Sequence, residues 1–290
     1  MRELLLCILL FTNGVAFGEF RALRPSAFAT YGDYTTGGTS RELAAYLTYE
    51  TYGGQYFTLG YSDEGILYPD SKYRQQMPVG GILLSRHPFS AKAYYAHLAG
   101  SYTYTPLRGF DYKDRADVGS CEILWTHYPF TLGAAYTRFG GNGLSYASNF
   151  MGKSPTKHAD QLTGRIGVML TPRWRAIARP NFAEVEDGRK LYSMAAKVIY
   201  MPHRRWTLSG GGFIGERAYY FDNDLLVIFN QNDTQRGSVF GEAEFHAGRG
   251  FSITAEYLYT QFDYSPVFPV PGKDYDIRYV VAGVRYNLTW

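Results

Sequence analysis

The feature that most constrains this chain is period-two alternation of side-chain character, seen most clearly over its last residues. Val280, Ala282, Val284, Tyr286, Leu288 and Trp290 form one series, wholly apolar or aromatic. The interleaved Tyr279, Val281, Gly283, Arg285, Asn287 and Thr289 carry a guanidinium, an amide and a hydroxyl. Successive side chains of a strand point to opposite faces, so this is a strand with one apolar and one polar side. Its length, about eleven residues, is what a tilted strand needs to cross a bilayer with lipid on one side and an aqueous lumen on the other.

Similar segments recur throughout. Strands are expected near 24–34, 42–52, 54–62, 76–85, 91–105, 115–126, 129–139, 160–170, 173–182, 190–200, 205–215, 236–247, 250–262 and 277–290. Tight Gly/Pro turns separate many of them: Gly53-Gly54, His87-Pro88, Tyr128-Pro129, Thr171-Pro172, Pro202-His203 and Arg249-Gly250. Longer connections fall between, near 63–75, 106–114, 140–159, 183–189, 216–235 and 263–276. Short turns at one end and longer loops at the other define an all-β, transmembrane, antiparallel up-and-down barrel. The count is about fourteen strands. Twelve is the alternative, because 54–62 and 76–85 carry the weakest pattern.

Residues 1–18 read as an export signal, with Arg2, an apolar run from Leu4 to Phe11, and small residues around Ala16-Phe17-Gly18. Residues 19–290 are then the barrel. The apolar run is shorter than the roughly 20 residues a spanning helix requires. Beyond Cys7 there is only Cys121, which leaves no intramolecular disulfide and no cysteine metal site. A net charge of +3 implies no nucleic-acid partner, and no cofactor motif is present.

Trp125, Trp174, Trp206 and Trp290 each lie close to a short turn or to the last residue. They are expected to form an aromatic girdle at the periplasmic interface. The export signal, the alternating strands and the terminal Tyr286-x-Leu288-x-Trp290 resemble the bacterial outer-membrane β-barrel class, porin-like barrels included. That resemblance implies a location in the outer membrane, contact with its lipid, and recognition of Tyr286, Leu288 and Trp290 by the barrel-assembly machinery. It also extends to the small barrels that accompany polysaccharide export, which would add periplasmic export components as partners.

Strand parity assigns the lumen residues. Arg165, Arg173, Arg175, Arg179 and Lys197 are expected to point inward as a basic arc, facing Glu242, Glu244 and Glu256 with Arg285 beside them. Opposed arcs would set a transverse field that filters small solutes. The expected function is therefore a porin-like channel for small polar or ionic solutes. The alternative is a non-conducting barrel that serves as an export portal or anchoring partner. Catalysis is not expected: no strand brings together a nucleophile, a base and an orienting group. Tyr146-Ala147-Ser148-Asn149 resembles the Ser-Asn element of outer-membrane lipid hydrolases but lacks their preceding histidine. Asp222 and Asp224 are a weak candidate for calcium. Leu225 to Phe229, apolar within a polar loop, reads as a strand extension, a fold-back into the lumen or a contact surface.

Overall fold

A computed structural model of the chain describes residues 20–69, 71–104, 110–142, 158–222, 227–229, 233–263 and 274–289. The export signal, Ser148, Asp224 and Trp290 lie outside these residues.

The strands are β1 (Phe20–Tyr34), β2 (Thr39–Thr51), β3 (Gln55–Tyr68), β4 (Ser71–Arg86), β5 (Phe89–Tyr104), β6 (Phe110–His127) and β7 (Phe130–Asn142). They continue as β8 (His158–Thr171), β9 (Trp174–Val185), β10 (Lys190–His203), β11 (Trp206–Arg217), β12 (Tyr220–Asp222) and β13 (Val227–Phe229). The last are β14 (Thr234–Gly248), β15 (Phe251–Asp263), β16 (Tyr275–Tyr286) and β17 (Leu288–Thr289). Each long strand pairs antiparallel with its chain neighbour, β11 pairs with β14, and β16 with its continuation β17 closes on β1. The result is a closed barrel of 14 strands. The short hairpin of β12 and β13 stands apart from the wall.

The strands around residues 54–85 settle the count. Their connection is only residues 69 and 70, not 63–75. Charged residues in that stretch interrupt the apolar alternation without interrupting the ladder. Asp63 and Arg74 pair with each other on the outward face, Arg74 Nε donating to Oδ1 at 2.8 Å. The same lengthening of strands at the loop end shortens the other long connections.

The outside of the barrel is apolar and bare. Leu43 is 69% exposed, Leu59 68% and Ile214 75%. In water such a surface would be untenable over so wide a band; it is a lipid-facing belt. Trp125, Trp174 and Trp206 sit at the short-turn ends on outward parity. Trp174 stacks on Tyr200 at 4.2 Å and Trp206 packs on Phe245 at 4.8 Å. Trp125 stacks on His127 at 5.7 Å.

The barrel wall is tightest between β11 and β14. A Cβ added at Gly212 would stand 2.0 Å from the Ser238 carbonyl oxygen, a backbone atom that cannot rotate away. Gly241, one strand away on the same outward face, meets nothing within 4 Å. Gly212→Ala should therefore destabilise the barrel by ~1–3 kcal/mol, through forced separation of two strands. Gly241→Ala should be neutral or slightly stabilising. Thermal unfolding in detergent, followed by the loss of heat-modifiable gel mobility, checks the pair. Equal unfolding temperatures for the two variants would refute the argument.

Candidate functional site: a lumen with an inward-folded segment

Inward-facing side chains divide the lumen into two zones. Toward the short turns it is polar and charged. Glu122 on β6 receives Arg165 Nε at 2.7 Å and Lys92 Nζ at 3.1 Å. Lys197 Nζ lies 2.9 Å from Glu242, which also accepts the Ser209 hydroxyl at 2.6 Å. Arg285 approaches Glu244 at 3.5 Å. Arg24 pairs with Glu50, whose Oε1 accepts the Tyr56 hydroxyl at 3.1 Å.

Toward the long loops the lumen carries two apolar clusters set among buried polar side chains, Gln75, Gln161, Arg217 and Gln235 among them. Met77, Val79, Leu98, Val118, Phe139, Val185 and Leu191 form one buried cluster along β4 to β10. Tyr34, Ile66, Phe262, Tyr275, Ile277 and Tyr279 form a second across β1, β3, β15 and β16. Within it Phe262 stacks on Tyr275 at 5.0 Å, and Tyr275 on Tyr34 at 6.1 Å.

The segment leaving β11 does not run out to the surface. Ala218, Tyr219, Tyr220 and Phe221 are each 3% exposed or less. The chain turns at Tyr219, whose φ of 51° is unusual for a bulky residue. Such an outlier persists only where surrounding contacts over-determine it, and here they do. Gln161 on β8 clamps the Phe221 backbone at two points: its Nε2 donates to the Phe221 carbonyl at 3.3 Å, and its Oε1 accepts the Phe221 N–H at 3.2 Å. Arg179 on β9 donates to both carboxylate oxygens of Asp222, each at 2.9 Å. Phe221 meets Tyr94 edge-on at 6.1 Å, and Tyr219 tilts on Phe139 at 6.3 Å. Arg217 lies between the rings of Phe213 and Tyr220, at 3.8 and 4.1 Å from their centroids. The segment therefore lies inside the barrel and joins the apolar cluster on the β4–β10 wall.

The residues expected to line a pore are thus distributed as follows. Arg165, Arg175, Arg179 and Lys197 face inward, as do Glu242, Glu244, Glu256 and Arg285, in keeping with the ladder registers. Arg173 does not: β9 begins one residue later at Trp174, so Arg173 is an exposed turn residue whose carbonyl accepts the Met201 N–H. The two opposed arcs do not form either. Acid and base are interleaved and mostly paired, because Glu122, Lys92 and Asp222 place opposite charges among the arginines; Arg175 and Glu256 make no ion pair among the described residues. Asp222, the described half of the calcium candidate, has its carboxylate bound by Arg179. Tyr286 and Leu288 lie on β16 and β17, with Leu288 paired to Leu23 of β1.

The sequence reading missed Glu122, Lys92 and Gln161. Glu122 carried a usable signal. It alternates with Cys121 and Ile123, which face lipid, so parity alone assigns it inward. Gln161 had none, since its partner is the backbone of a segment sixty residues away.

These features define a transmembrane barrel of the outer-membrane type with a segment folded into its lumen. Solved structures with the same fold include the toluene transporter TodX of Pseudomonas putida, 9% identical with a TM-score of 0.57 over 94% of this chain and 90% of that one. The toluene transporter TbuX of Ralstonia pickettii is 11% identical with a TM-score of 0.59, over 94% and 90%. A FadL homologue of Pseudomonas aeruginosa is 10% identical with a TM-score of 0.55, over 93% and 90%. No protein-family model and no curated protein sequence matches the chain. At these identities the likeness establishes the fold.

Proposed function

We propose that the protein is an outer-membrane channel for small apolar or amphipathic aromatic solutes, held closed by the inward-folded segment at residues 218–222. The observation that carries this reading is the apolar cluster on the loop side of the lumen, which the inward-folded segment joins. A solute entering there exchanges water for Met77, Leu98, Val118, Phe139 and the ring of Tyr219. Apolar surface gains roughly 25 cal/mol per Å² on that exchange, whereas an ion or sugar would shed hydration with little in return. The polar zone beyond it, where most charges are paired, forms the remainder of the path. Toluene, the solute that TodX and TbuX transport, belongs to the same chemical class.

The expectation of polar or ionic solutes needs a continuous water-filled path, and an apolar constriction opposes it by dewetting. The portal or anchoring reading retains one supporting observation, the inward-folded segment itself. Uptake separates the three. Cells expressing the protein in their outer membrane should take up radiolabelled toluene several-fold faster than cells without it, while liposomes bearing it should not swell in small sugars. Sugar-driven swelling without toluene uptake would overturn the proposal in favour of a porin, and silence in both assays would favour the partner barrel.

A further inference from the structure

Arg217, at the loop end of β11, is a buried cation without an acid. It is 5% exposed and makes no ion pair among the described residues. Its Nε donates to the Ser193 hydroxyl at 2.9 Å, while its Nη2 finds no acceptor. The carboxylate of Asp222, on the same inward-folded segment as Tyr220, is taken by Arg179. A charge held out of water in this way is costly unless something supplies the opposite sign.

Gln235 is the partner of Arg217 across the β11–β14 ladder. It is 2% exposed, and neither its amide nitrogen nor its amide oxygen has a hydrogen bond. The fold departs from a regular ladder to aim it there. Gly237 pairs with the outward Ile214, so an unbroken strand would place Gln235, two residues away, outward as well. The β14–β15 register slips at Arg236 instead: Gly237 pairs with Gln261, and Gln235 with Phe262. The bulged Arg236 stays exposed, facing Glu216 at 3.2 Å, and Gln235 turns into the barrel. Bulges re-aim side chains in this manner and recur beside functional sites. Phe262 supplies an apolar wall at the same level, buried and stacked on Tyr275 at 5.0 Å.

We propose that Arg217 and Gln235 bind the carboxylate of an aromatic carboxylic acid whose ring lies against Phe262. One carboxylate oxygen accepts from Arg217 Nη2 and the other from the Gln235 amide nitrogen. A carboxylate matches the pair because it brings the missing negative charge and accepts at two points at once. A neutral aromatic brings no counter-charge, and a bare anion makes no use of the apolar wall. Tyr220 covers the guanidinium with its ring at 4.1 Å, so the site opens when residues 218–222 leave the lumen. The inference therefore rests on the reading of that segment as the gate, and it specifies the amphipathic members of the proposed solute class.

The full chain in detergent micelles is titrated calorimetrically with benzoate, its neutral isostere benzamide, and acetate, both as the native protein and as Asp222→Asn. Benzoate should bind about ten-fold more tightly than either of the others, and more tightly to Asp222→Asn than to the native chain. Arg217→Gln should remove about ten-fold of the benzoate affinity and Gln235→Leu about three-fold, with benzamide unaffected by either. Arg175→Gln, which removes an unpaired lumen cation elsewhere, should leave benzoate binding as it was. Retained heat-modifiable mobility identifies folded variants. Gln235→Leu deletes only unpartnered polar atoms, so it carries the test even if Arg217→Gln fails to fold. Equal affinity for benzoate and benzamide, equal affinity for benzoate and acetate, an equal loss with Arg175→Gln, or no saturable benzoate binding to either protein would overturn the proposal. Toluene uptake reads the channel separately. Uptake that persists without benzoate binding removes this inference and leaves the channel standing, and benzoate binding lost in Arg217→Gln without any toluene uptake does the reverse.

Discussion

Replacing Asp222 by Asn is expected to raise the fraction of time that the reconstituted barrel conducts by about two orders of magnitude. The ion pair it removes is largely sheltered, with the Arg179 side chain 11% exposed and that of Asp222 18%. Breaking such a pair from one side costs ~3 kcal/mol, because the remaining cation stays out of water without its partner. The pair exists only while the segment lies inside the lumen. The whole cost therefore falls on the closed state, and the closed-to-open ratio drops by roughly 150-fold. Gln161→Ala should act in the same direction and more weakly, since it removes two neutral hydrogen bonds to the Phe221 backbone, worth ~1 kcal/mol each. The measurement is single-channel recording in planar bilayers, with open time summed at fixed voltage. Asp222→Asn with an unchanged closed lifetime would mean that residues 218–222 are a fixed part of the barrel interior. The gating element of the proposed channel would then have to be sought elsewhere. Toluene uptake by the same variant gives a second readout, expected to rise with the open fraction.

What could be read from the chain alone follows from how each feature is encoded. The barrel is written locally. Every strand declares its parity through neighbours two residues apart, and the short turns are marked by Gly and Pro, so Trp174, Lys197, Glu242 and Arg285 could be placed on a face without knowing any contact. Strand length was less legible. Beyond the lipid belt, outward positions such as Asp63, Arg74, Lys113 and Asp160 are polar, and alternation of apolar with polar then fades although the ladder continues. The lumen was legible as a set of inward charges and illegible as an arrangement. The pairing of Arg165 with Glu122 spans 43 residues, and Arg179 reaches Asp222 across another 43. Nothing local tells an arginine which acid it will meet. The apolar cluster inside the lumen was the larger surprise, and its cause is particular. Val118, Phe139 and Val185 lie on the inward parity, where a water-filled pore would carry polar groups. They are tolerated because Tyr219 and Phe221 cover them, and that cover comes from a connection whose sequence, Ala-Tyr-Tyr-Phe-Asp, has no strand period of its own.

Glu122→Gln is expected to destabilise the barrel by ~3–5 kcal/mol without opening it. The carboxylate is 3% exposed and lies between Arg165, 7% exposed, and Lys92, 14% exposed. Its loss leaves two largely buried cations facing each other beside a void of about 10 Å³ near Tyr220 and Phe221, room for a single water. Neither cation can recruit solvent there, so like-charge repulsion and unrelieved burial add. The change should appear as a lower urea midpoint in detergent micelles and an earlier loss of heat-modifiable mobility. The triple replacement Lys92→Met, Glu122→Leu and Arg165→Met should recover most of the loss, because apolar side chains of similar volume remove the desolvation penalty together with the attraction. If Glu122→Gln cost under ~1 kcal/mol, the triad would have to be reached by water, and the polar zone would be continuous with solvent up to the inward-folded segment. If the triple variant were as unstable as the single one, charge pairing would not be the source of stability, and the packing of the Arg165 stem between β7 and β9 would take its place. The two sites differ in gating. Glu122 holds together wall strands β5, β6 and β8, which do not move when the segment leaves the lumen, so Glu122→Gln should leave the open fraction near that of the native protein, whereas Asp222→Asn raises it and lowers the urea midpoint by the stability that the closed state loses.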